Sequence, residues 1–409
     1  MTETPMPVRA TARVGENPTR PGGTPTLVPR RRTGYLGPLH AVQLMAIEAV
    51  IVGILVLLGH GIVAVIAGTV FGLLLLAVVL GRRGGRWWLE RTTMGWQFRR
   101  RNASKPVRPL PDQRLASMQF LAPGLTIDDV ASPDGSSVGV AGDDAGWYAV
   151  AAIGSGGAMY DDGRPMFPLD RLVTALADPD RSGRAVVQLV THTVPVPEPV
   201  DAIGESYHRL LARHEPSPVP ADRVTWLAVR LDARDLAEMG AEQAEQAPVM
   251  VASLLRHLVK TLRRTGVATR ALDRDALLDA LARSCDLVGD VESPSADPHE
   301  DWDAWYSGRL VHRTYWLQHW PSISQCGPLL DRLSTVPAAL TSIAVMLAPG
   351  RDTVDIRCLA RVATTPNRIA AVSRGMQEQA HAAGAKLLTL DGEQGPAAYA
   401  TAPTGGGPR

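Results

Sequence analysis

The sequence has few of the residues that most catalytic and metal-binding motifs require. Only three of its 409 residues are lysines, and none stands in the G-x-x-x-x-G-K-[ST] arrangement that cradles nucleotide phosphates. Three cysteines with no short spacing exclude a C-x-x-C motif and a disulfide framework. We therefore expect Cys285, Cys326 and Cys358 to be buried, reduced thiols, as suits a cytoplasmic domain.

Other catalytic signals are equally sparse. The pair His312 and His319 lacks the H-E-x-x-H spacing of zinc enzymes. A G-x-S-x-G segment centred on Ser137 follows Ser-Pro-Asp and leads towards Gly142-Asp143-Asp144. A nucleophile elbow follows a strand and opens a helix, so this segment predicts a turn. We expect no catalytic residue, no metal and no cofactor.

One enzymatic alternative stays open, a membrane-tethered sugar-nucleotide transferase. Acidic pairs at 128–129, 143–144 and 161–162 could bind a metal ion in such an enzyme, although loop acids are more often simply solvated. A dense aromatic cluster could form a carbohydrate platform, and it fits a core corner or a protein contact equally well. The cluster comprises Trp302, Trp305, Tyr306, Tyr315, Trp316 and Trp320.

Charge is distributed unevenly along the chain. Residues 1–109 carry 15 Lys or Arg against 4 acids, whereas residues 110–409 carry the other 27 basic and 37 acidic residues. The basic residues crowd against apolar segments, so a membrane explains them better than a nucleic acid does.

Two long apolar runs occupy residues 40–58 and 61–80, joined only by Gly59-His60-Gly61. Each is close to the ~20 residues that cross ~30 Å of hydrocarbon. The second run has no charge, and the first contains only Glu48. Arginines flank both outer ends and the link has none, which places both termini and the large domain on the cytoplasmic side of a multi-pass protein. The pattern predicts a two-helix transmembrane hairpin.

Three residues are candidates for packing of membrane helices. Gly68 and Gly72 form a G-x-x-x-G face for close approach of the first helix or of another subunit. Glu48, as an ionisable group in an apolar helix, is expected to face protein rather than lipid. A juxtamembrane anchor is expected where Arg and Trp alternate at the headgroup level. Its residues are Arg82, Arg83, Arg86, Trp87, Trp88, Trp96, Arg99, Arg100 and Arg101.

The rest of the chain alternates strand-like and helix-like patterns, so we predict a cytoplasmic α/β domain, of the α+β kind with a mixed sheet. No internal repeat is evident, and two similar halves remain an open alternative. The predicted organisation is a disordered tail over 1–33, the hairpin over 34–81, a basic Trp-rich segment and linker over 82–112, the α/β domain over 113–392, divided into two subdomains near 286–304, and a C-terminal coil over 393–409.

Within the domain, the patterns predict strands over 146–153, 184–194, 223–231, 309–320, 340–348, 353–362 and 387–390. They also predict a helix over 233–264 broken at Pro248, one over 273–283, and one that Thr365 and Pro366 open and Gly384 ends.

From about residue 34 onwards the sequence resembles EccE, a membrane component of the actinobacterial type VII (ESX) secretion system. The segments that carry the resemblance are W-W-L-E-R-T-T-M-G-W (87–96), H-R-T-Y-W-L-Q-H-W-P (312–321) and the Gly-rich ending from Leu390 to Gly407. The resemblance implies a structural subunit of the cytoplasmic membrane that assembles with EccB, EccC and EccD. It implies no catalytic residue, no nucleic acid and no small-molecule substrate.

Overall fold

The computed structural model describes residues 10–11, 26–29, 35–36, 39–83, 86–103, 112–132, 135–154, 185–195, 206, 210, 221–240, 244–264, 266–287, 298–349 and 353–406. The chain forms two compact units. Arg30–Lys105 make up the hairpin unit, and Met1–Pro29 together with Pro106–Arg409 make up the strand unit.

The helices of the described residues are α1 (Ala41–Leu57), α2 (Ile62–Val79), α3 (Trp88–Ala103), α4 (Gln113–Met118), α5 (Ala233–Met239), α6 (Ala247–Arg264), α7 (Arg274–Ser284), α8 (Ile323–Ser334), α9 (Ile369–Ala382) and α10 (Gln394–Ala400). The strands are β1 (Ala10–Thr11), β2 (Thr26–Pro29), β3 (Tyr35–Leu36), β4 (Leu39–His40), β5 (Arg82–Arg83), β6 (Arg86–Trp87), β7 (Thr126–Ala131), β8 (Ser137–Asp143), β9 (Gly146–Ile153), β10 (Val186–Pro195), β11 (Ala221–Asp232), β12 (Thr269–Ala271), β13 (His299–Glu300), β14 (Trp305–Tyr306), β15 (Val311–His319), β16 (Leu340–Pro349), β17 (Thr353–Thr364) and β18 (Lys386–Thr389).

The hairpin unit is built on two apolar helices of nearly equal length. Leucine, isoleucine, valine and alanine dominate α1 and α2, and a single 3-10 turn at Leu58–His60 separates them. Gly61, with a φ of 94°, completes the reversal in a conformation that residues with a Cβ rarely adopt. The two helices therefore pack against one another as neighbours in sequence and in space.

The strand unit is built on one large sheet. Its strands run in the order β13-β14-β15-β17-β16-β10-β11-β9-β8-β7, and every neighbouring pair along this path is antiparallel. Short strands β12 and β18 pair with β9 and β15, and β2 adds in parallel to β17. The expectation of a mixed α/β architecture with antiparallel pairing is confirmed.

Helices cover both faces of this sheet. On one face, α6 packs on the β8–β9–β11 side, and α8 and α9 pack on the β15–β17 side, in two separate apolar clusters. On the other face, α4, α7 and α10 share a single apolar cluster that reaches strands from β7 to β17. Side chains of each central strand alternate between these faces, as in β11, where Leu227 and Val229 face α6 while Ala228 faces the other way.

Two helix predictions need correction. The helix predicted over 233–264 is two helices, and the break comes at Gly240, whose φ is 94°, rather than at Pro248. Pro248 lies in the first turn of α6, where its missing N–H costs no helical hydrogen bond. The helix predicted to start at Thr365 begins at Ile369, because the Thr365 hydroxyl bonds the side chain of Asn367 at 2.6 Å and a turn precedes the helix.

Two other segments are more ordered than their composition predicts. Gln394–Ala400 form α10 inside the predicted C-terminal coil, and the four residues of β2 form a strand inside the predicted disordered tail. Helix α3 runs through most of the predicted juxtamembrane segment. Tertiary contacts that composition does not reveal explain α10, which packs on β15.

Candidate functional site

The surface of the hairpin unit is the most unusual chemical feature of the molecule. Fifteen large apolar side chains of α1, α2 and the turn between them are exposed, between 38% and 78%. They are Leu44, Met45, Ile51, Val52, Leu55, Val56, Leu58, Ile62, Val63, Ile66, Val70, Phe71, Leu73, Leu74 and Leu75. A soluble monomer rarely exposes a contiguous apolar surface of this extent, so lipid or protein must cover it.

One helix of the described residues meets the length and composition of a membrane span. It covers Gln43–His60 with a mean hydropathy of 2.0, and only 6% of it is buried, unlike the core helix of a soluble domain. Val65–Ala77 is a shorter apolar stretch within α2.

The two glycines of the predicted G-x-x-x-G face lie against α1. A Cβ at Gly72 would stand 2.7 Å from Val50 Cγ1, and a Cβ at Gly68 would overlap the end of Leu57. The side-chain amide of Gln43, almost fully buried, donates to the carbonyl oxygen of Val79 at 3.3 Å. The small residues therefore allow the helices of this hairpin to approach closely along their length.

Glu48 lies elsewhere on α1. Its side chain is exposed among the apolar residues of that helix, and neither glycine approaches it. Within the chain, α2 does not cover this carboxylate.

The predicted juxtamembrane residues follow α2 in two elements. Arg82, Arg83, Arg86 and Trp87 form the β5–β6 pair, and Trp88 begins α3. On α3, Trp96 is 64% exposed, and the guanidinium of Arg100 lies 5.6 Å from its ring centroid. This cation–π pair keeps one aromatic and one cationic group side by side on the helix surface. Arg99 is exposed and Arg101 is half-buried.

The enzymatic candidates of the strand unit have structural roles. Gly135, with a φ of 81°, sits in the turn between β7 and β8, and Ser137 starts β8 rather than a helix. Asp128 and Asp129 lie on β7, where Asp129 accepts a hydrogen bond of 3.0 Å from the backbone N–H of Arg274. The third pair, Asp161-Asp162, lies outside the described residues.

The aromatic cluster is mostly core. Trp305 and Tyr315 are 2% and 0% exposed, and the other four members are half-buried. Trp302 closes over Gly392, whose φ of 78° and close approach to the ring leave no room for a Cβ. A carbohydrate platform needs exposed ring faces, which the two fully buried members do not offer.

A buried ion-pair network surrounds Arg230 of β11. Its guanidinium donates to both carboxylate oxygens of Asp143 and lies 3.2 Å from Asp232 Oδ1. The Tyr399 hydroxyl donates to Asp143 at 3.0 Å and meets the Tyr148 hydroxyl at 2.9 Å. Burial acts to lower the pKa of Arg230, but the hydrogen bonds and charge of Asp143 outweigh it and raise the pKa. Arg230 is therefore a permanent cation with matched anions.

A second buried network surrounds Arg361 of β17 and contains no bonded carboxylate among the described residues. Arg361 donates to the Ser284 carbonyl oxygen, to the Ser342 hydroxyl at 3.2 Å and to Nδ1 of His312 at 3.1 Å. Ser342 also meets Nδ1 of His192 at 2.9 Å. Burial, aided by the charge of Arg361, lowers the pKa of His192 to about 3 and that of His312 well below its usual value. Both imidazoles are neutral at physiological pH.

The cysteines and the possible metal ligands of the described residues form no reactive site. Burial raises the pKa of the Cys285 thiol to about 11 and that of Cys358 to about 12, so neither is a ready nucleophile. Cys326 is half-buried. Within the described ranges, no group of three or more His, Cys, Asp or Glu side chains could hold a metal ion.

Sequence reasoning missed the residues of the two arginine networks. The available signal was an Arg within a short apolar run of each strand, L-A-V-R-L for Arg230 and L-A-R-V for Arg361. Such an Arg must pair or bond on burial. The partners could not be found because Asp143, Ser284 and Tyr399 are distant in sequence.

The molecule thus combines an exposed apolar helical hairpin with a mixed α/β unit whose buried polar groups are structural. Residues 219–317 match the family model of EccE, described as a type VII ESX secretion system translocon. The matched segment runs from β11 into β15 and includes Arg230, Ser284 and His312. The match confirms the resemblance to EccE, a structural component of the secretion system and not a known enzyme family. A search of curated proteins returns no significant match.

Proposed function

We propose that the chain is a structural subunit of a type VII (ESX) secretion complex, held in the cytoplasmic membrane by α1 and α2 as a two-span hairpin. The exposed apolar surface of the hairpin carries the proposal. At about 25 cal/mol per Å², transferring such a surface from water into lipid is strongly favourable. Because Arg82, Arg83 and Arg86 follow α2 while the turn has no Lys or Arg, both termini and the strand unit lie on the cytoplasmic side.

The geometry of the hairpin assigns different roles to the two glycines and to Glu48. Gly68 and Gly72 serve contact between its own helices, since their open sides are filled by Leu57 and Val50. Glu48 is left for an outside partner. A carboxylate facing lipid near a helix centre costs roughly 3 kcal/mol, so we assign it to a neighbouring membrane helix with a hydrogen-bond donor. EccB, EccC and EccD type subunits are the proposed source of that helix.

The juxtamembrane residues have a second role in this proposal. Trp96 and Arg100 lie together on α3, so an aromatic ring and a cation can reach the headgroup region at the same depth. Arg82, Arg83, Arg86, Trp87, Trp88, Arg99 and Arg101 would supply the rest of this anchor. Each Lys or Arg near an anionic leaflet contributes about 1 kcal/mol.

The alternative of a sugar-nucleotide transferase is less well supported. Such an enzyme requires a pair of acids whose carboxylates are free to bind a metal ion, and aromatic rings exposed to the sugar. Asp143 already accepts two hydrogen bonds from Arg230 and one from Tyr399, so it is not free to bind a cation. Trp305 and Tyr315 are buried. Binding of a sugar nucleotide to the purified protein in the presence of Mg²⁺ or Mn²⁺ would favour the enzyme instead.

Co-purification tests the structural proposal. Membranes are solubilised gently, the chain is captured, and bound proteins are identified for the wild type, for Glu48→Leu and for Met45→Leu as a matched control. We expect EccC and EccD type subunits with the wild type and with Met45→Leu. Glu48→Leu should stay in the membrane and recover less of them. Capture of the wild-type chain alone would contradict the proposal.

A further inference from the structure

The strand unit contains the same order of strands twice, although α5 and α8 each occur in only one of the two sets among the described residues. In residues 126–287, the strands β7, β8 and β9 form a meander, followed by the hairpin β10–β11. Strand β11 then pairs with β9, α6 packs on the sheet, β12 adds to β9, and α7 follows.

Residues 298–406 repeat this order. The strands β13, β14 and β15 form a meander, followed by the hairpin β16–β17. Strand β17 pairs with β15, α9 packs on the sheet, β18 adds to β15, and α10 follows. The two segments, called the first and second halves below, meet where β10 pairs with β16.

The pairing registers agree with a two-fold relation between the halves. Arg230 stands between Val186 and Tyr148, and Arg361 stands in the corresponding place between Ser342 and Thr314. Both arginines are fully buried on the same face of the sheet, the face that carries α7 and α10.

The arginine correspondence also fixes where the two-fold axis crosses the sheet. Counting three residues on from Val186 and from Ser342 leads to Leu189 and Val345, and these two residues are paired with each other across β10 and β16. A two-fold axis perpendicular to an antiparallel sheet passes through such a pair. The axis implied by the arginines therefore coincides with the one that the central strand pair provides.

The last helix of each half packs on strands of its own half, and its C-terminal end is hydrogen-bonded to the other half. Arg361 of the second half donates to the Ser284 carbonyl at the end of α7, where a cation also favours the negative end of the helix dipole. Gln188 of the first half donates at 2.8 Å to the Ala400 carbonyl at the end of α10. Arg230 donates at 2.8 Å to the Thr404 carbonyl just beyond it.

The C-terminal contact extends past the helix. Gln188 Oε1 accepts hydrogen bonds from the backbone N–H groups of Thr404 and Gly405 at 3.1 and 2.7 Å. Gly405, with a φ of 77°, lies against the Cβ of Arg230, where no other side chain fits. Leucines of α7 and alanines of α10 also belong to one apolar cluster with strands of both halves.

We infer that the strand unit is an internally duplicated fold in which the last helix of each copy packs on its own copy and is bonded at its C-terminal end to the other copy. Arg361 of the second copy binds the end of the last helix of the first copy. Gln188 and Arg230 of the first copy bind the end of the last helix of the second copy and the residues that follow it. These reciprocal bonds, together with the β10–β16 pairing, join the copies into one cooperative body, so the strand unit does not consist of two domains that hinge about the segment between them.

Hydrogen exchange of the full chain in detergent tests these reciprocal bonds. For Arg361→Lys, we expect exchange to quicken about tenfold or more at residues 280–287, in the opposite half, because a charged hydrogen bond is lost. For Gln188→Met, we expect the same at residues 399–406. Arg270→Lys, an exposed change on β12, is the matched control and should leave both segments protected.

The outcomes separate bonding between the halves from ordinary local damage. Faster exchange confined to the half that carries the substitution would overturn the inference. So would two unfolding transitions in urea, with the halves losing protection at different midpoints. Should Arg361→Lys fail to fold, Gln188→Met decides by itself, since it removes no charge and leaves both arginine networks intact.

Discussion

The two units of this protein treat apolar side chains in opposite ways. In the strand unit they are enclosed between a sheet and the helices on its two faces. In the hairpin unit they point outward, and the small residues Gly68 and Gly72 point inward. The charged residues differ as well, since the strand unit buries Arg230 and Arg361 while Glu48 is exposed on α1. The proposed function explains this difference by placing the outward side chains of the hairpin unit in lipid.

The largest effect should come from placing charges on the outward surface of the hairpin. Val70→Arg with Phe71→Arg introduces two cations near the middle of α2, each costing about 2.5–3.5 kcal/mol in a bilayer. We expect the chain to leave the alkali-resistant membrane fraction. The control Val70→Leu with Phe71→Leu should remain in it. A doubly charged variant that stays as firmly bound would show that α2 does not face lipid.

The next effect is expected inside the strand unit. Asp143→Asn removes the main anion of Arg230, and a broken buried ion pair costs about 3–5 kcal/mol. The retained ion pair with Asp232 places the loss near the lower value. Urea unfolding followed by tryptophan fluorescence should show it. The exposed neighbour change Asp144→Asn should alter the free energy of unfolding by less than about 0.5 kcal/mol, and equal losses would contradict this account of the network.

Acid should separate the two units. His192 and His312 have folded pKa values below the unfolded value near 6.5, so their contribution to stability is complete above that pH and is lost as the pH falls. The loss is about 1.4 kcal/mol per pH unit for each histidine. The unfolding temperature of the sheet, followed by circular dichroism, should therefore fall as the pH is lowered from 6.5 to 4.5. The helical signal of the hairpin should stay unchanged over this range.

Substitution of a histidine checks the assignment. His192→Gln should flatten the dependence of the unfolding free energy on pH by about 1.4 kcal/mol per unit in that range. His319→Gln, on the exposed end of β15, should leave the dependence unchanged. An unaltered slope for His192→Gln would mean that this imidazole does not stay neutral in the folded protein.

The smallest effect concerns packing between α1 and α2. Gly72→Ala brings a Cβ to 2.7 Å from Val50 Cγ1, whose β-branched side chain has little freedom to move. We expect the hairpin to lose about 1 kcal/mol of resistance to SDS, measured by energy transfer between labels at the helix ends. Gly53→Ala has nothing within 4 Å and serves as the control. Equal behaviour of the two variants would argue against close packing at Gly72.

Sequence patterns predicted the elements in which one local signal dominates. Strand β9 begins and ends where its apolar run does, and α7 starts after its Asp273 cap, whose side chain accepts from Ala276 N–H. Helix α10 was missed because Gly395 and Pro396 are poor helix formers, and only packing on β15 makes the helix. Local signals of that kind cannot report contacts between distant segments.

The candidate site residues could likewise be found from local signals, but their contacts could not. Residues 48, 68 and 72 were visible because an acid and spaced glycines are conspicuous in apolar helices. Which of them faces the partner helix of the same hairpin depends on helix rotation, which the sequence does not specify. The duplication was invisible because L-A-V-R-L-D and C-L-A-R-V-A, the corresponding segments of β11 and β17, share only the buried arginine in alignment. Strand order and register revealed it.

Cysteine accessibility from outside intact cells tests the central claim most directly. A cysteine is placed at His60, in the turn between the helices, and in a second variant at Asn102 near the end of α3. The account predicts that a membrane-impermeant maleimide labels position 60 and not position 102. The half-buried Cys326 should also stay unlabelled until the membrane is opened, and the buried Cys285 and Cys358 should stay unlabelled in the folded protein throughout. Labelling of position 102, or protection of position 60 in a chain that is labelled there after permeabilisation, would contradict the two-span hairpin.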